Sequence, residues 1–395
     1  MFRYQPPAYS PIDLNAVAAA FMAALVPGRS VAEPARVAKY MRERFRATDV
    51  LLTDSGTSAL RLAIAGAALA RPKSPTALPA YGCYDLATAA DGAQVPVVLY
   101  DVDPGTLSPR PDSLTRALGR GVSAVVVAHL FGHPVDVVAV QAMAEEQGAL
   151  VIEDAAQGLG GRLGNADLGT LGSLSVISLG RGKGWTGGAG GALVAHDDRG
   201  TAMLQWAQGL LDRSGRGLVD LARLSLQAVF SHPRLYALPA VLPFLHLGQT
   251  VYQAPRRARR PSASSMAAAA RTFHLLHHEI EVRRTNGRRL LEAARGGGRA
   301  QPVREPEGGE PGFLRLPVLC REEARAALPS VARFGIAPGY PAALCDLPGF
   351  GGRVVNRKSD FPGARELAAR LVTLPTHSRL GERDLAFLER WLQAD

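Results

Sequence analysis

Two residues in this sequence carry side chains that could act together on one ligand, and each follows an apolar run typical of a buried strand. Lys183 comes after the run 174–179, inside Gly180-Arg181-Gly182-Lys183-Gly184, and is one of only four lysines. Asp154 stands 29 residues earlier, directly after the run 150–153. A lysine amine forms Schiff bases, and a carboxylate can hold a protonated pyridine nitrogen. Because pyridoxal phosphate (PLP) needs both groups, the pair predicts a site for this cofactor, although a solvated lysine and a capping aspartate are ordinary alternatives.

A short polar turn supplies groups that could bind a phosphate. Ser55-Gly56-Thr57-Ser58 precedes an Ala- and Leu-rich helix. The start of a helix presents free backbone N–H groups and the positive end of the helix dipole, so Gly56, Thr57 and Ser58 are candidate phosphate ligands. The alternative is an ordinary helix cap, for which Ser and Thr are equally suited. Ser178, at the end of another apolar run, could likewise bind phosphate or only satisfy a backbone group.

Short apolar runs alternate with amphipathic stretches between residues 48 and 196. The predicted helices of this region are 57–70, 111–118 and 135–147, and the predicted strands are 50–53, 76–79, 95–101, 124–129, 149–153, 174–179 and 191–195. This alternation favours βαβ units and a mostly parallel sheet covered on both faces. Ligands bind at the carboxyl ends of such strands, where the candidate residues lie.

The length of 395 residues exceeds what one hydrophobic core usually supports, so we expect two lobes. Residues 1–204 should form a large α/β domain with an N-terminal segment. Residues 205–262 read as an atypical apolar and basic insertion. Residues 263–395 should contain a long helix, from Ser264 to Arg295, that leads into a small α+β domain.

The insertion admits three interpretations. Residues 235–252 contain no Asp, Glu, Lys or Arg, and the arginine-rich segment 256–260 follows at once. The stretch could be a dimer interface or lid, the wall of a substrate pocket, or a surface that makes peripheral contact with an anionic membrane. Pro239, Pro243 and Gly248 interrupt it, so a membrane-spanning helix is not expected.

Charge and cysteine content narrow the class of protein. The net charge is +10 and comes almost wholly from arginine, which favours anionic ligands such as phosphates. No nucleic-acid-binding motif accompanies the arginines, so nucleic acid is not expected as a partner. Cys83, Cys320 and Cys345 are an odd number and widely spaced, which argues against a disulfide framework or a metal site and fits a reducing cytoplasm. The apolar segment 16–26 lacks a basic start and is interpreted as a helix instead of a signal peptide.

Motifs along nearly the whole chain carry a family resemblance. In order they are SGTSAL (55–60), LPAYGCYDLATAADGAQVPVVLYDVDP (78–104), VVVAHLFGHPVD (125–136), VIEDAAQGLGG (151–161), GSLSVISLGRGKGWTGGAGGALVA (172–195), FGIAPGYPAAL (334–344) and LVTLPTH (371–377). With them the chain resembles the DegT/StrS family of PLP-dependent sugar aminotransferases, within the fold-type I superfamily. The resemblance implies an α/β fold with a large domain, built on a mostly parallel seven-stranded sheet flanked by helices, and a small C-terminal α+β domain.

The resemblance also implies a role for each candidate residue. Lys183 would bond to the cofactor as a Schiff base and move a proton between substrate and cofactor. Asp154 would hold the pyridinium nitrogen, and Gln157 the oxygen of the ring. The cofactor phosphate would lie on a group of four residues, Gly56, Thr57, Ser58 and Ser178.

Two other positions have open interpretations under the same resemblance. An aromatic side chain of the 81–84 segment would cover the ring, and both Tyr81 and Tyr84 are candidates. His129 aligns with a common family position, although it could equally be a histidine whose hydrogen bonds are satisfied at a strand end.

The function implied is transfer of an amino group from glutamate to a keto-sugar carried on a nucleotide diphosphate. Such amino sugars serve polysaccharide, lipopolysaccharide or natural-product biosynthesis. Family members with histidine at the position of Lys183 are dehydratases, so lysine favours transamination. A homodimer is expected because active sites of this superfamily lie between subunits. The alternatives are a PLP enzyme of the same fold that acts on a lipid-linked or non-sugar ketone or as a dehydratase, and a non-catalytic homologue.

The sequence departs from the family pattern in two places. The Gly-x-Asn-x-Arg segment, through which a partner subunit supplies an asparagine to the phosphate, is missing, with Leu247-Gly248-Gln249-Thr250 as a candidate replacement. Ala189 stands where many relatives carry an acidic residue. The residue that completes the phosphate site from the partner chain is therefore left open.

Overall fold

The computed structural model describes residues 3–26, 31–240 and 251–394. Its strands are β1 (Asp49–Thr53), β2 (Thr76–Pro79), β3 (Val97–Tyr100), β4 (Ala124–Ala128), β5 (Leu150–Asp154), β6 (Arg162–Leu163), β7 (Ala166–Asp167), β8 (Leu174–Ser178), β9 (Gly191–Ala195), β10 (Ala300–Pro302), β11 (Gly309–Glu310), β12 (Leu316–Cys320), β13 (Ala337–Pro338) and β14 (Leu371–Leu374). Its α-helices are α1 (Leu14–Leu25), α2 (Glu33–Arg44), α3 (Gly56–Ala70), α4 (Asp85–Ala93), α5 (Pro111–Leu118), α6 (Val137–Glu146), α7 (Asp198–Gln208), α8 (Leu218–Phe230), α9 (Pro233–Ala240), α10 (Ala263–Thr272), α11 (Leu276–Arg295), α12 (Glu322–Ala326), α13 (Leu328–Val331), α14 (Pro362–Arg370) and α15 (Glu382–Gln393).

Seven strands form the central sheet in the order β1-β9-β8-β5-β4-β2-β3. Neighbours from β8 to β3 pair in parallel, whereas β9 runs antiparallel to both β1 and β8. The mostly parallel seven-stranded sheet predicted from the apolar runs is therefore confirmed. Because the parallel strands share one direction, the residues that follow β1, β5 and β8 meet at the same edge.

Helices cover both faces of this sheet, which explains why its strands are mostly apolar. In β9, Leu193 packs into the large core that includes α3 residues, while Ala192 and Val194 pack into the core on the other face. Alternate residues of a strand point to opposite faces, so a strand covered on both sides needs apolar residues at every position. The sequence Ala-Val-Val-Val-Ala of β4 is buried at all five positions for this reason.

A second, antiparallel sheet lies in the C-terminal part of the chain, in the order β10-β12-β14-β13. Leu290 of α11 and both Leu388 and Trp391 of α15 are buried in the core on this sheet. The limits proposed for the three regions, 1–204, 205–262 and 263–395, remain a prediction.

One expected element is divided. Instead of a single helix from residue 264 to 295, α10 and α11 are separated by a 3₁₀ turn at Phe273–Leu275. The carbonyl of Ala269 accepts a hydrogen bond from the indole N–H of Trp185 at 3.1 Å and another from the Thr272 hydroxyl at 3.3 Å. This is the carbonyl that the N–H of Phe273 would use if the α-helix continued, so side-chain competition accounts for the break.

The insertion contains α8 and α9, and the candidate replacement segment 247–250 lies outside the described residues. Helix α8 leaves Leu218, Val219, Leu226 and Val229 more than half exposed. Throughout the described ranges, no helix combines the length and the apolar character needed to cross a membrane.

Candidate functional site

A cavity of about 320 Å³ opens where β1, β5 and β8 end. Six of the nine predicted site residues line it, namely Gly56, Thr57, Asp154, Gln157, Ser178 and Lys183. Ser58, Tyr81 and Tyr84 do not. The topology thus brings together side chains that are more than 120 residues apart in the chain, because each follows a strand of the same parallel sheet.

The polar turn begins α3 and lines the cavity with Gly56 and Thr57. Ser55 caps the helix, and its Oγ accepts from the N–H of Ser58 at 3.1 Å. The backbone N–H of Thr57 has no hydrogen-bond partner among the described residues, whereas Gly56 follows a β-bridge between Ser55 and Gly190. Ser58 itself belongs to the cap, because its hydroxyl also accepts from the Ser55 hydroxyl at 3.1 Å. The group available to an anion at the start of α3 is therefore the N–H of Thr57.

Glycine is required at position 56 by the close approach of β8. A Cβ atom there would lie 3.0 Å from the Cβ and 3.3 Å from the Oγ of Ser178. The missing side chain lets the Ser178 hydroxyl stand beside the first turn of α3. One phosphate group could therefore contact both the start of α3, which follows β1, and Ser178 at the end of β8.

Asp154 ends β5 with one carboxylate oxygen engaged and the other without a partner among the described residues. Its Oδ1 accepts from the N–H of Ala156 at 3.1 Å. Burial raises the pKa of the Asp154 carboxyl, while that backbone hydrogen bond and the positive charge of Lys183 lower it in part. A cationic ring nitrogen against this carboxylate would favour its charged form.

A residue of the N-terminal segment forms a hydrogen bond to the loop that carries Lys183. The Ser10 hydroxyl donates to the carbonyl oxygen of Lys183 at 2.6 Å. Gly188 and Gly190, later in the loop, have φ of 79° and 107°, which other residues rarely adopt. The Lys183 amine makes no ion pair with the described residues, so it is free to react. Sequence reasoning did not find Ser10, because nothing local marks a contact across 173 positions.

Gln157 lines the cavity, but its amide is already engaged on both sides. Its Oε1 accepts from the N–H of Phe131 at 3.1 Å, and its Nε2 donates to the Tyr340 hydroxyl at 2.9 Å. Tyr340 stacks on the Phe131 ring with centroids 5.7 Å apart. The Gln157 amide is therefore oriented by Phe131 and by Tyr340 of the C-terminal part of the chain. The motif 334–344 contains Tyr340, but the sequence predicts no role for it.

The structure does not bring Tyr81 or Tyr84 to the cavity. Tyr81 is fully buried, and its hydroxyl accepts from the N–H of Tyr340 at 2.8 Å. Tyr84 is 5% exposed and lies against the same Tyr340 ring. Cys83, between the two tyrosines, lines the cavity instead. Burial raises the pKa of its thiol to about 12, so it is a neutral apolar wall at physiological pH.

His129 has its hydrogen bonds satisfied behind the cavity. Its Nδ1 accepts from the N–H of Val135 at 3.3 Å, and its Nε2 lies 2.9 Å from Glu153 Oε1. The fully buried Glu153 also accepts from the backbone N–H of Gly169 at 2.6 Å and of Leu171 at 2.8 Å. Burial raises the pKa of Glu153, but these donors outweigh it and hold the pKa below its usual range. This cluster fixes the strand end that carries Asp154.

Comparison with known proteins agrees with this arrangement. Residues 29–216 match the DegT/DnrJ/EryC1/StrS aminotransferase family. The chain is 29% identical over 162 residues to the L-glutamine:2-deoxy-scyllo-inosose aminotransferase of Streptomyces kanamyceticus. The aligned residues make up 41% of this chain and 38% of that protein. It is 32% identical over 148 residues to the dTDP-4-dehydro-2,3,6-trideoxy-D-glucose 4-aminotransferase of Saccharopolyspora spinosa. This alignment covers 38% of this chain and 38% of that protein. The similarity thus spans less than half the length of these relatives.

Solved structures share the fold over the whole chain. The sugar aminotransferase CalS13 from Micromonospora echinospora is 20% identical and superposes with a TM-score of 0.76, covering 100% of this chain and 99% of that one. The aminotransferase TlmJ from Streptoalloteichus hindustanus is 20% identical with a TM-score of 0.77, covering 99% and 98%. These values confirm the fold-type I architecture predicted from the sequence.

The family uses PLP, and the residues present fit that cofactor. The N–H of Thr57 at the start of α3 suits its phosphate, and the oxygen of Asp154 without a partner among the described residues suits its ring nitrogen. The Lys183 amine makes no ion pair with the described residues. A cavity of about 320 Å³ is within the usual size of cofactor pockets. Residues 29–216 are thus similar to the DegT/DnrJ/EryC1/StrS aminotransferase family, and the chain shares its fold with solved aminotransferase structures.

Proposed function

We propose that this protein is a PLP-dependent aminotransferase that moves an amino group from glutamate to a keto-sugar carried on a nucleotide diphosphate. The observation that carries the proposal is that the Lys183 amine, the Asp154 carboxylate and the start of α3 line one cavity. Such a set binds a phosphorylated pyridine aldehyde at three points. The relatives named above are aminotransferases that act on ketones of sugar or cyclitol type.

Each residue has a distinct task in this proposal. Bound PLP supplies an electron sink for the substrate carbon that loses or gains the amine. Asp154 keeps the ring nitrogen protonated. The Lys183 amine holds the cofactor and afterwards carries the proton to and from the substrate carbon. Gly56, Thr57 and Ser178 fix the phosphate, so the ring cannot shift during the reaction.

The oligomer and the compartment are part of the same proposal. We infer a homodimer, because Arg223 of α8 lines the cavity while apolar residues of the same helix stand exposed beside it. A second copy would cover that helix and complete the phosphate site. A cytoplasmic location is supported by three cysteines that are all unpaired.

Borohydride trapping tests the role of Lys183. The chain has four lysines, so reduction of the PLP-loaded protein followed by peptide mass spectrometry identifies the one that holds the cofactor. We expect the label on Lys183, and none in Lys183→Ala. The matched control is Lys39→Ala, since Lys39 is exposed on α2 and its one ion pair among the described residues is with Glu43 at 3.9 Å. It should leave the label unchanged.

Glutamate added before the reduction decides the reaction type. In an aminotransferase the donor amine displaces Lys183, so the label should fall as glutamate rises. A label that glutamate leaves unchanged would point to another donor or to a dehydratase. An unlabelled wild-type protein would reject the enzyme proposal. Acceptors can then be screened with a dTDP-linked keto-sugar and 2-deoxy-scyllo-inosose, the acceptors named for the relatives.

A further inference from the structure

Residues 5–11 form an irregular segment that is mostly buried, although it belongs to no helix or strand. Gln5 and Ser10 are each 1% exposed, and Tyr9 is 7% exposed. Polar groups of a buried irregular segment cannot pair in a regular ladder, so they need partners from other parts of the chain. Those partners show which parts of the molecule the segment connects.

Buried side chains of the C-terminal part hold two carbonyls of this segment. Arg283 of α11 donates to the carbonyl of Tyr9, and its Nε lies 3.2 Å from the equally buried Glu279 carboxylate. His377 Nε2 donates to the carbonyl of Pro6 at 2.8 Å, while its Nδ1 accepts from a backbone N–H at 3.3 Å. Burial lowers the pKa of His377 to about 3, so the ring stays neutral at physiological pH with both nitrogens engaged. The segment is therefore fixed on both sides of its bend at residues 7–8.

The other side of the segment meets the loop that carries Lys183. The Ser10 hydroxyl donates to the carbonyl of Lys183 at 2.6 Å, which is short for a bond between two oxygens. In the described chain no other side chain forms a hydrogen bond to the backbone of residues 181–184. Gly182 has a φ of 72°, and a Cβ atom there would lie 3.7 Å from the Cβ of Ala8. Ser10 therefore restrains a stretch of backbone that its glycines leave adaptable.

We propose that Ser10 positions Lys183 for its reaction with the cofactor, an inference that rests on the function proposed above. Ser10 does not line the cavity, so it acts through the Lys183 backbone and is a positioning residue. Reacting atoms must lie about 3–3.5 Å apart, and a displacement of about 1 Å can slow a reaction about 100-fold. The lysine side chain starts from the backbone that Ser10 holds, and the C-terminal part holds Ser10 in turn through Arg283 and His377.

Separate measurements of cofactor binding and of reaction at Lys183 test this role. Pyridoxine phosphate has the ring and phosphate of PLP without the aldehyde, so isothermal titration with it measures binding alone. Timed borohydride trapping at saturating PLP measures how fast Lys183 is labelled. In Ser10→Ala we expect labelling to be about tenfold slower or more, with unchanged affinity for pyridoxine phosphate, because the groups that hold the ring and phosphate stay in place.

The matched control is Ser264→Ala. Ser264 is also 1% exposed, and its hydroxyl donates to the carbonyl of Arg216 at 2.9 Å. Neither of these two residues lines the cavity. The control therefore loses the same kind of buried hydrogen bond, and it should bind pyridoxine phosphate and label Lys183 as wild type does.

A second variant guards against a packing defect. Ser10→Cys keeps the shape of the side chain and replaces the hydroxyl by a weak donor, so it should fold and label Lys183 more slowly than wild type. Equal labelling rates in wild type and both Ser10 variants would overturn the proposal. A parallel loss of pyridoxine phosphate affinity and labelling rate would also overturn it, since it would indicate a general structural defect.

Hydrogen exchange of the cofactor-free protein separates this inference from the proposed function. Amides of residues 181–186 should exchange about fivefold faster in Ser10→Ala than in wild type or Ser264→Ala, which corresponds to the roughly 1 kcal/mol of one hydrogen bond. Unchanged exchange would overturn the inference. If exchange rises but PLP does not label Lys183 in wild type, the proposed function fails while the restraint of the loop by Ser10 stands. If wild type is labelled and Ser10→Ala is labelled equally fast, only the inference fails.

Discussion

Replacing Glu153 by glutamine should destabilise the whole chain, although Glu153 does not line the cavity. Its Oε1 accepts from His129 Nε2 at 2.9 Å and from the N–H of Gly169 at 2.6 Å. Its Oε2 accepts from the N–H of Leu171 at 2.8 Å and of Gly172 at 3.1 Å. The Ser175 hydroxyl also donates to Oε2, at 3.4 Å, so all five partners donate. A glutamine has one oxygen and one NH₂ group, so either orientation sets the NH₂ against at least two donors.

The expected size of the effect follows from these contacts. Two hydrogen bonds to a buried charged acceptor are lost in either orientation. Each contributes about 1.5–3 kcal/mol to stability. Glu153→Gln should therefore lower the free energy of unfolding by about 3–6 kcal/mol. This loss exceeds the roughly 1 kcal/mol that an average substitution costs, so a specific effect of the carboxylate can be distinguished from an ordinary destabilisation.

Urea denaturation followed by circular dichroism measures this loss. Glu145→Gln is the matched control, because Glu145 is exposed on α6 and should change stability by less than about 0.5 kcal/mol. A loss under about 1 kcal/mol in Glu153→Gln would refute the reasoning, since it would mean that the carboxylate charge and the hydrogen bonds it accepts contribute little.

The effect should also depend on pH in one direction. The pKa of Glu153 is raised by burial but held below its usual range by its donors, so the folded state keeps the charge at pH values where the unfolded chain binds a proton. The stabilisation is therefore complete above the unfolded pKa of about 4.3 and is lost as the pH falls through the lower folded value. The difference between wild type and Glu153→Gln should be constant from about pH 6 to 8 and should shrink below about pH 4.

Two further predictions concern the phosphate turn and the oligomer. Gly56→Ala places a methyl group 3.0 Å from Ser178 and should weaken PLP binding about tenfold or more in a fluorescence titration. The control is Gly66→Ala on the same helix, where the nearest atom would be 3.5 Å from the new methyl group. This variant should raise the free energy of unfolding by about 0.5–1 kcal/mol. Equal PLP affinity in the two variants would argue against the turn as the phosphate site. Sedimentation equilibrium should give twice the 41.8 kDa chain mass, and a monomer at micromolar concentration would contradict the dimer.

The positions of the central strands could be predicted because the sheet is covered on both faces. The predicted bounds of strands 76–79 and 191–195 and of helix 111–118 are those of the structure, and the other central strands lie within two residues of their predicted ends. A strand buried on both sides needs an uninterrupted apolar run, and such a run is visible without any tertiary information. The single helix predicted over 264–295 is wrong. It is interrupted where the indole N–H of Trp185, 84 positions away from Ala269, donates a hydrogen bond to the carbonyl of Ala269.

The chemistry at the strand ends can be predicted from local sequence alone. Parallel strands share one edge, so Asp154, Lys183 and the turn at Gly56 had to meet once the strands were known. Whether the other candidates join them depends on how distant parts of the chain pack. Tyr81 and Tyr84 turn away from the cavity and toward Tyr340.

Contacts between distant segments account for the remaining site residues. Ser10 reaches Lys183 across 173 positions, and Gln157 reaches Tyr340 across 183. The local sequence shows only which side chains are apolar and at what spacing apolar residues recur. Which polar group it meets depends on how the two parts of the chain pack, and that packing is absent from any single stretch of sequence.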